Sequence, residues 1–259
     1  MNNPKDLPDR LYDFALIPNF EQVITNLKNL AETEDWDYQF AESETANPVL
    51  KNYLNYTYKR IAEEQKVSYS ENDESACWNT GLITPNHEPI FMMFEKNNIA
   101  SHNCYWHFKG FFRKGQHQLN DFTALPEMAH YFEEPAHLVY DARLELRPNV
   151  EHIVDDNKDR FPPELQHMAG YGLQNFIKGA IDSAVERVKR NYKTAIPQYF
   201  NGNIQLLLPL SLTDPSKADL ALVVERFDGF YRASTCLTLD MAYNNARRLA
   251  KPDRDWLQP

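Results

Sequence analysis

Four polar residues in the segment LTLDMAYNNARRLA (237–250) fall on one side of any helix that the segment forms. Asp240, Tyr243, Asn244 and Arg247 are spaced i, i+3, i+4 and i+7. A solvated helix face usually carries Lys and Glu, whereas this one carries short or planar groups suited to fixed hydrogen bonds. Two roles fit such a face: a ligand site, or a buried clamp in which Asp240 pairs with Arg247.

A basic segment, VERVKRNYKTAIPQYF (185–200), contains residue types that contact phosphate and base edges. Its Arg and Lys residues lie in the last turns of a predicted helix, where the helix dipole alone favours cations. The dipole does not explain the Tyr, Asn, Thr and Gln residues nearby, which together with Lys suit a phosphate and a base. We therefore assign Tyr192, Lys193 and Gln198 to a candidate ligand site, with Gln205 from the next strand.

The segment WNTGLITPNHEPIF (78–91) contains a glycine within a strand pattern. Gly81 predicts a β-bulge or the close approach of another group to the backbone. Asn79 and Thr80 beside it could present an amide and a hydroxyl to a ligand, or could hold the bulge in place. Both interpretations stay open on the sequence.

The segment VEHIVDDNKDRFP crowds one histidine and three aspartates into a short stretch. On a helical turn His152 could converge with Asp155 or Asp156, and these three are the candidate catalytic residues because an imidazole beside a carboxylate can act as an acid–base pair. The alternative is a buried turn in which Asp155 or Asn157 caps the backbone. No recognised metal-ligand spacing is present, so no metal site is predicted. Asn157 and Arg160 join the candidate ligand site.

Composition limits the classes of partner and location. The formal net charge of −10 opposes extensive binding of duplex DNA, which relies on many Lys and Arg contacts to phosphate. The three cysteines have the spacing of neither a disulfide framework nor a metal knuckle, and the first residues lack a basic start and an apolar core. No apolar stretch is long enough to span a bilayer. We expect a cytoplasmic protein that makes no use of a membrane.

Hydrophobic periodicity predicts an α+β fold. Helices are predicted over 19–34, 47–65, 163–194 and 239–250, and strands over 75–84, 88–96, 105–113, 137–145, 202–212, 218–227 and 230–239. Asp228-Gly229 predicts a hairpin between the last two strands. We expect a single domain with a largely antiparallel sheet, which could curl towards a barrel, flanked by helices. Residues 1–66 would form an N-terminal helical part packed on the α+β core of residues 67–259, as one compact unit overall.

Several motifs together resemble a bacterial protein family, domain of unknown function 3825. The signatures are NTGL, DNxxRFP, NYKTAxPQY and LTLDMAYNNAR, and the resemblance runs from about Leu11 to Leu257. The family usually has Phe where this chain has Trp78. The resemblance implies no particular activity, but it implies a link to RNA or nucleotides because some relatives are joined to nucleic-acid-binding modules.

The candidate ligand-binding residues combine cations for charge, amides for base edges and tyrosines for stacking. The complete set is Asn79, Thr80, Asn157, Arg160, Tyr192, Lys193, Gln198, Gln205, Asp240, Tyr243, Asn244 and Arg247. We expect a polar cleft that binds a nucleotide or a single-stranded RNA end, with Lys193 and Arg247 on one wall and Asn79 opposite. The sequence leaves open whether the phosphate is also processed and whether a cofactor is bound. The alternative is a non-catalytic protein-interaction module whose polar motifs form a buried structural clamp.

Overall fold

The computed structural model describes residues 5–99 and 104–252, and the chain divides into two compact units. The N-terminal unit comprises the chain up to residue 38 together with 42–130, and the C-terminal unit comprises 39–41 together with the chain from residue 131 onward. The predicted division between residues 66 and 67 falls inside the N-terminal unit. Within this unit the early helices pack on the first sheet, with the helix Pro48–Glu63 in contact with the strand Ser75–Ile83.

The N-terminal unit contains one five-stranded sheet with helices from the first part of the chain. In chain order its elements are α1 (Leu11–Phe14), β1 (Ala15–Leu16), α2 (Phe20–Leu30), α3 (Pro48–Glu63), β2 (Ser68–Tyr69), β3 (Ser75–Ile83), β4 (Pro89–Lys96), β5 (Trp106–Arg113) and a 3-10 helix (His117–Leu119). The strand order is β1-β5-β4-β3-β2. The β1–β5 pair is parallel and the other pairs are antiparallel.

Helix α3 connects the helical part of this unit to its sheet. Pro48 occupies the first turn, where a missing N–H costs nothing. Leu50, Leu54, Tyr58 and Ile61 recur at helical spacing and are fully buried. This apolar stripe explains why α3 packs on β3 rather than standing apart as a separate layer.

The bulge predicted at Gly81 is present in β3. The register of β3 with β4 shifts between Asn79 and Ile83, and Gly81 has φ +72°. The Tyr53 hydroxyl from α3 donates a hydrogen bond to the Thr80 carbonyl at 2.9 Å. A Cβ added at Gly81 would lie 2.6 Å from that hydroxyl oxygen, so both the backbone angle and the packing require glycine.

The C-terminal unit contains a second five-stranded sheet and the longest helix. Its elements are a 3-10 helix (Pro135–Leu138), β6 (Glu145–Pro148), α4 (Val150–Asn157), a 3-10 helix (Lys158–Arg160), α5 (Pro163–Gln166), α6 (Gly170–Arg190), a 3-10 helix (Tyr192–Thr194), β7 (Ile196–Phe200), β8 (Asn203–Leu210), β9 (Leu220–Phe227), β10 (Phe230–Leu237) and α7 (Leu239–Ala246). The strand order is β6-β10-β9-β8-β7. Only the β6–β10 pair is parallel.

The core of this unit lies between the sheet and helices α4 and α6. Ile153 of α4 and Ile181 of α6 pack in one cluster with Leu208, Leu222 and other apolar side chains of the central strands. The cluster explains the helical spacing of apolar residues along α6 and the apolar character of alternate residues in β8, which are Leu206, Leu208 and Leu210. Helix α7 follows β10 directly and contacts β7, β9 and β10.

The α+β prediction is confirmed, with two open mixed sheets in place of one sheet curled towards a barrel. The Asp228-Gly229 hairpin is also confirmed, because Phe227 and Phe230 are the last paired residues and Gly229 has φ +81°. Within the part of the chain that the structure describes, no helix combines the length and apolarity that crossing a bilayer requires.

The strand predicted over 137–145 is wrong. A 3-10 helix ends at Leu138, and the Asp141 carboxylate accepts the Arg143 backbone N–H, which fixes a turn. Only residues from Glu145 onward pair with β10. Strand β7 was not predicted because its proline reads as a helix stop. A proline is tolerated there because β7 is an edge strand of the sheet.

We predict that Gly81→Ala lowers the free energy of unfolding by about 2 kcal/mol, because alanine disfavours a positive φ and its Cβ meets the Tyr53 hydroxyl. Urea unfolding followed by circular dichroism measures the change. Gly115→Ala is the matched control, since no atom lies within 4 Å of its added Cβ. Equal stability of the two variants would contradict the packing role of Gly81.

Candidate functional site

A cleft of about 280 Å³ lies in the C-terminal unit, beside the start of β7 and the end of α7. Most of its lining is apolar, and its polar side chains are one tyrosine and two lysines. The lining residues are Leu138, Val139, Tyr192, Lys193, Ala195, Ile196, Pro197, Ala246, Leu249, Ala250, Lys251 and Pro252. Its volume is near the lower end of ligand sites, which measure about 300–1,000 Å³.

The loop between α6 and β7 holds Tyr192 and Lys193 at the cleft. Helix α6 ends at Arg190, and the Asn191 side-chain oxygen accepts the Lys193 backbone N–H at 3.1 Å, which begins the 3-10 turn. Tyr192 is 63% exposed. Lys193 is exposed too, and its ammonium forms no ion pair with any described residue. The sequence assigned both residues to the ligand site, and the structure brings both to one cleft.

The basic residues at the end of α6 mostly have internal partners. Lys189 and Arg190 pair with Glu186, and Arg187 donates to the Ser211 hydroxyl and the Pro215 carbonyl. Of this basic segment, the charge available to a ligand in the cleft is therefore that of Lys193. Lys251, from the chain after α7, also lines the cleft, and it has an interaction partner within the protein.

The carboxylate of Asp240 binds a segment of backbone. Asp240 lies in the first turn of α7 and is only 7% exposed. Its Oδ1 accepts the Gln39 N–H at 2.9 Å, and its Oδ2 accepts the N–H groups of Phe40 at 3.0 Å and Ala41 at 2.9 Å. Three donors on one carboxylate make a structural clamp on residues 39–41, which belong to the C-terminal unit.

The other members of the α7 stripe lie close to this clamp in sequence. Tyr243 and Arg247 are buried, with Arg247 7% exposed, and Asn244 is partly buried. All three have interaction partners within the protein. Lys193, Ala246 and Leu249 line the cleft, and Arg247 lies between the last two in the sequence. The expected pairing of Lys193 and Arg247 on one cleft wall stays a prediction.

Asn157 and Arg160 form a second buried network. The Asn157 side-chain oxygen accepts bonds from Arg160 Nη1 at 2.6 Å and from the Thr235 hydroxyl at 2.9 Å. Arg160 Nη1 also donates to the Cys236 carbonyl at 2.5 Å, and Asn157 Nδ2 donates to the Ile153 carbonyl at 3.0 Å. These bonds tie the end of α4 to β10. Burial raises the pKa of the Cys236 thiol to about 12, so this thiol is not an activated nucleophile.

Asn79 and Thr80 hold the bulge in β3 of the N-terminal unit. The Asn79 side-chain oxygen accepts the Gly81 N–H at 3.0 Å, and its Nδ2 donates to the Pro126 carbonyl at 3.5 Å. The buried Thr80 hydroxyl donates to the Ile90 carbonyl at 2.7 Å and accepts the Leu82 N–H at 3.2 Å. Of the two interpretations that the sequence left open, these bonds support the structural one.

The candidate catalytic residues lie on the exposed face of α4. His152 Nδ1 is 3.1 Å from Asp156 Oδ2, and both side chains are about half exposed. Asp155 is exposed as well. None of the three lines the cleft. Among the described residues, His, Cys, Asp and Glu side chains nowhere gather in a group of three or more that could hold a metal ion.

Gln198 and Gln205 form a cross-strand pair between β7 and β8. They are register partners, and Gln198 Nε2 donates to Gln205 Oε1 at 2.9 Å. Gln198 is buried, and its own Oε1 has no hydrogen-bond partner in the described structure. The Gln198 amide therefore makes one hydrogen bond across the sheet through its nitrogen, while its oxygen is buried without a hydrogen bond.

The cleft also contains residues that the sequence did not indicate. Lys251 follows the LTLDMAYNNAR signature and was not assigned to the site, although a lysine near the end of a helix is a visible signal. Leu138, Val139 and Leu249 gave no signal, because apolar residues are expected in any core. Only the packing shows that these three border an open space.

We predict that Asp240→Ala lowers the free energy of unfolding by about 3 kcal/mol, since three backbone N–H groups lose a charged acceptor. Chemical denaturation measures this loss. Cleavage by chymotrypsin after the exposed Phe40 should also become faster under native conditions. Asp155→Ala, which removes an exposed carboxylate, is the control and should change stability by less than about 0.5 kcal/mol. Unchanged stability and cleavage in Asp240→Ala would rule out the clamp.

Comparison with known proteins identifies the family of this chain. No curated protein and no solved structure matched it. The sequence profile described as Domain of unknown function (DUF3825) matches residues 27–256. This range extends over both compact units and includes the cleft, the Asp240 clamp and the Asn157 network. The chain belongs to the DUF3825 family.

Proposed function

We propose that the C-terminal unit binds a nucleotide, or the phosphate-bearing end of a single RNA strand, in the cleft between the α6–β7 loop and the end of α7. The observation that carries the proposal is the position of Lys193. Its ammonium has no ion-pair partner among the described residues, and it borders an apolar cavity beside an exposed tyrosine. A ligand with one charged end and one flat apolar part matches this arrangement.

The apolar lining supports a base rather than a small anion alone. Val139, Ile196, Pro197 and Leu249 offer surfaces against which a planar ring loses water on binding. Tyr192 at the same cleft provides a phenol ring for stacking. A free phosphate would use the lysines and none of these surfaces.

The two lysines support a phosphate on the same ligand. Lys193 and Lys251 line the same cleft from two segments, one from the α6–β7 loop and the other from the chain after α7. Ammonium groups bind phosphate as point charges. The carbonyl end of α7 carries partial negative charge, so phosphate binding beside it depends on these lysines.

The free cysteines support a cytoplasmic location for this activity. Cys77 and Cys236 are buried thiols and Cys104 is partly exposed, and all three are unbridged. Unbridged thiols in a nucleotide-binding protein suit a reducing compartment.

A non-catalytic interaction module is the second candidate function. The observation that favours it is that Asp240 and Asn157 make their hydrogen bonds inside the protein. Under this alternative the polar motifs are architecture, and the apolar cleft receives a partner's side chain. The absence of any thermal shift with nucleotides and short RNAs, together with pulldown of a partner that Lys193→Gln does not weaken, would favour this function.

We predict that Lys193→Gln weakens binding of adenosine monophosphate roughly tenfold, because one charge-assisted contact is lost. Binding of unphosphorylated adenosine should change little. Isothermal titration calorimetry measures both affinities. Lys189→Gln is the control, since Lys189 is an exposed lysine of the same segment that pairs with Glu186 outside the cleft. An equal effect of the two substitutions would count against the cleft.

Tyr192→Ala provides a complementary test of the base. We expect it to weaken the binding of adenosine and of adenosine monophosphate by a similar factor, because both ligands would stack on the same ring. Tyr171→Ala, which removes another highly exposed tyrosine at the start of α6, is the matched control. If Tyr192→Ala affected only the phosphorylated ligand, the assignment of base and phosphate within the cleft would be wrong.

A further inference from the structure

One side of the C-terminal sheet carries a group of polar and aromatic side chains that the cleft does not use. Helices α4 and α6 pack against the side that bears Leu208, Leu222 and Tyr231. The group lies on the opposite side, close to the Asp228-Gly229 turn. We call it the Phe–Arg face, and it consists of Arg147, Gln205, Glu225, Phe227, Phe230 and Arg232.

Strand register places four of these side chains in a row. Gln205 of β8 is the partner of Glu225 in β9, Glu225 is the partner of Arg232 in β10, and Arg232 is the partner of Arg147 in β6. Register partners project from the same side of a sheet at a spacing of about 5 Å. The row therefore crosses four neighbouring strands.

The next row contains two phenylalanines that stack on each other. Phe227 and Phe230 are register partners with ring centroids 5.3 Å apart and planes inclined by only 10°. The guanidinium carbon of Arg147 lies 4.3 Å from the Phe230 ring centroid. Phe227 is 40% exposed, so an aromatic surface and a planar cation are presented side by side to solvent.

Hydrogen-bond donors remain available beside these rings. Gln205 uses its Oε1 to accept the bond from Gln198, so its own NH₂ group is left to donate. Arg232 is exposed and forms no ion pair with a described residue. Donors of this kind read the edges of unpaired bases.

The charges of this region nearly balance. Arg147 pairs with Glu145 at 2.7 Å, and the register partners Glu225 and Arg232 carry opposite charges. Asp228 in the turn adds one further negative charge. A balanced surface attracts phosphate weakly, so a ligand here gains most of its affinity from stacking and base-edge contacts. This separates the face from the cleft, where lysines supply the charge.

We propose that the Phe–Arg face binds the bases of a single-stranded nucleic acid. The inference deepens the proposed function, on which it rests for the class of ligand, and it names a strand of several nucleotides rather than a mononucleotide. Unpaired bases can leave their own stack and lie on the phenylalanine rings and the Arg147 guanidinium. Duplex bases are paired and stacked internally, so a duplex does not offer these surfaces.

The test uses the full chain and a fluorescently labelled RNA strand of about 12 nucleotides, within the range of single-strand sites of known folds. We expect Phe227→Ala and Phe230→Leu each to weaken binding roughly tenfold in fluorescence anisotropy. The salt dependence should change little, because no phosphate contact is removed. Phe176→Ala is the matched control, since it removes a similarly exposed phenylalanine from α6. Melting temperatures identify variants that fail to fold.

Phe230→Leu keeps an apolar side chain at the site, so its loss of binding reports the ring rather than the fold. Arg147→Lys keeps the charge and removes the planar group, and we expect it to weaken the binding of the RNA strand as well. A self-complementary duplex of the same length should bind more weakly than the single strand. Equal affinity for both forms would overturn the proposal.

Parallel titrations separate this inference from the proposed function. If Lys193→Gln weakens the binding of adenosine monophosphate while the phenylalanine variants bind the strand normally, the cleft is supported as a binding site. The inference about the Phe–Arg face is then overturned. If the phenylalanine variants no longer bind the RNA strand and Lys193→Gln leaves the affinity for adenosine monophosphate unchanged, the Phe–Arg face is supported as a binding site and the cleft is not. If wild type binds neither the strand nor the nucleotide, both are overturned. Binding of a protein at this face with no affinity for the strand would also overturn the inference.

Discussion

The C-terminal unit depends on a single carboxylate that binds three backbone N–H groups. Asp240 lies in the first turn of α7, and its two oxygens accept the amides of residues 39–41. A buried carboxylate without donors would be costly, whereas three charge-assisted bonds make the same burial favourable. The bonds fix a segment that is about two hundred residues away in sequence, and they fix the start of the helix that leads to the cleft.

Several polar motifs serve to fasten elements together. Asn157 and Arg160 join α4 to the backbone and side chains of β10, and Thr80 holds the bulge that accommodates Tyr53. In each case the buried oxygen or nitrogen has its partners within the protein, as burial requires. These motifs hold the fold of this chain together, and polar character alone was not evidence of a ligand.

Two regions of the C-terminal unit differ from these motifs because they border open space. The cleft combines an apolar lining with the lysines Lys193 and Lys251, and the Phe–Arg face combines stacked rings with an arginine plane. In the proposed function the cleft binds a base together with its phosphate, and in the further inference the Phe–Arg face binds the bases of a single strand. Each proposal rests on its own observation, the position of Lys193 for the cleft and the stacked rings for the face.

The α+β class, the Asp228-Gly229 hairpin, the bulge at Gly81 and most strand positions follow from local periodicity and backbone preference, so the amino-acid sequence was enough to predict them. It did not reveal the division into two units or the edge strand β7, where a proline reads as a helix stop. It also could not separate Lys193, which borders a cleft, from Asp240, which holds distant backbone. Both are polar residues in segments that contain basic residues. Whether such a residue has hydrogen-bond partners inside the protein depends on the tertiary structure. The tertiary structure in turn depends on contacts between residues far apart in the chain, which no local pattern encodes.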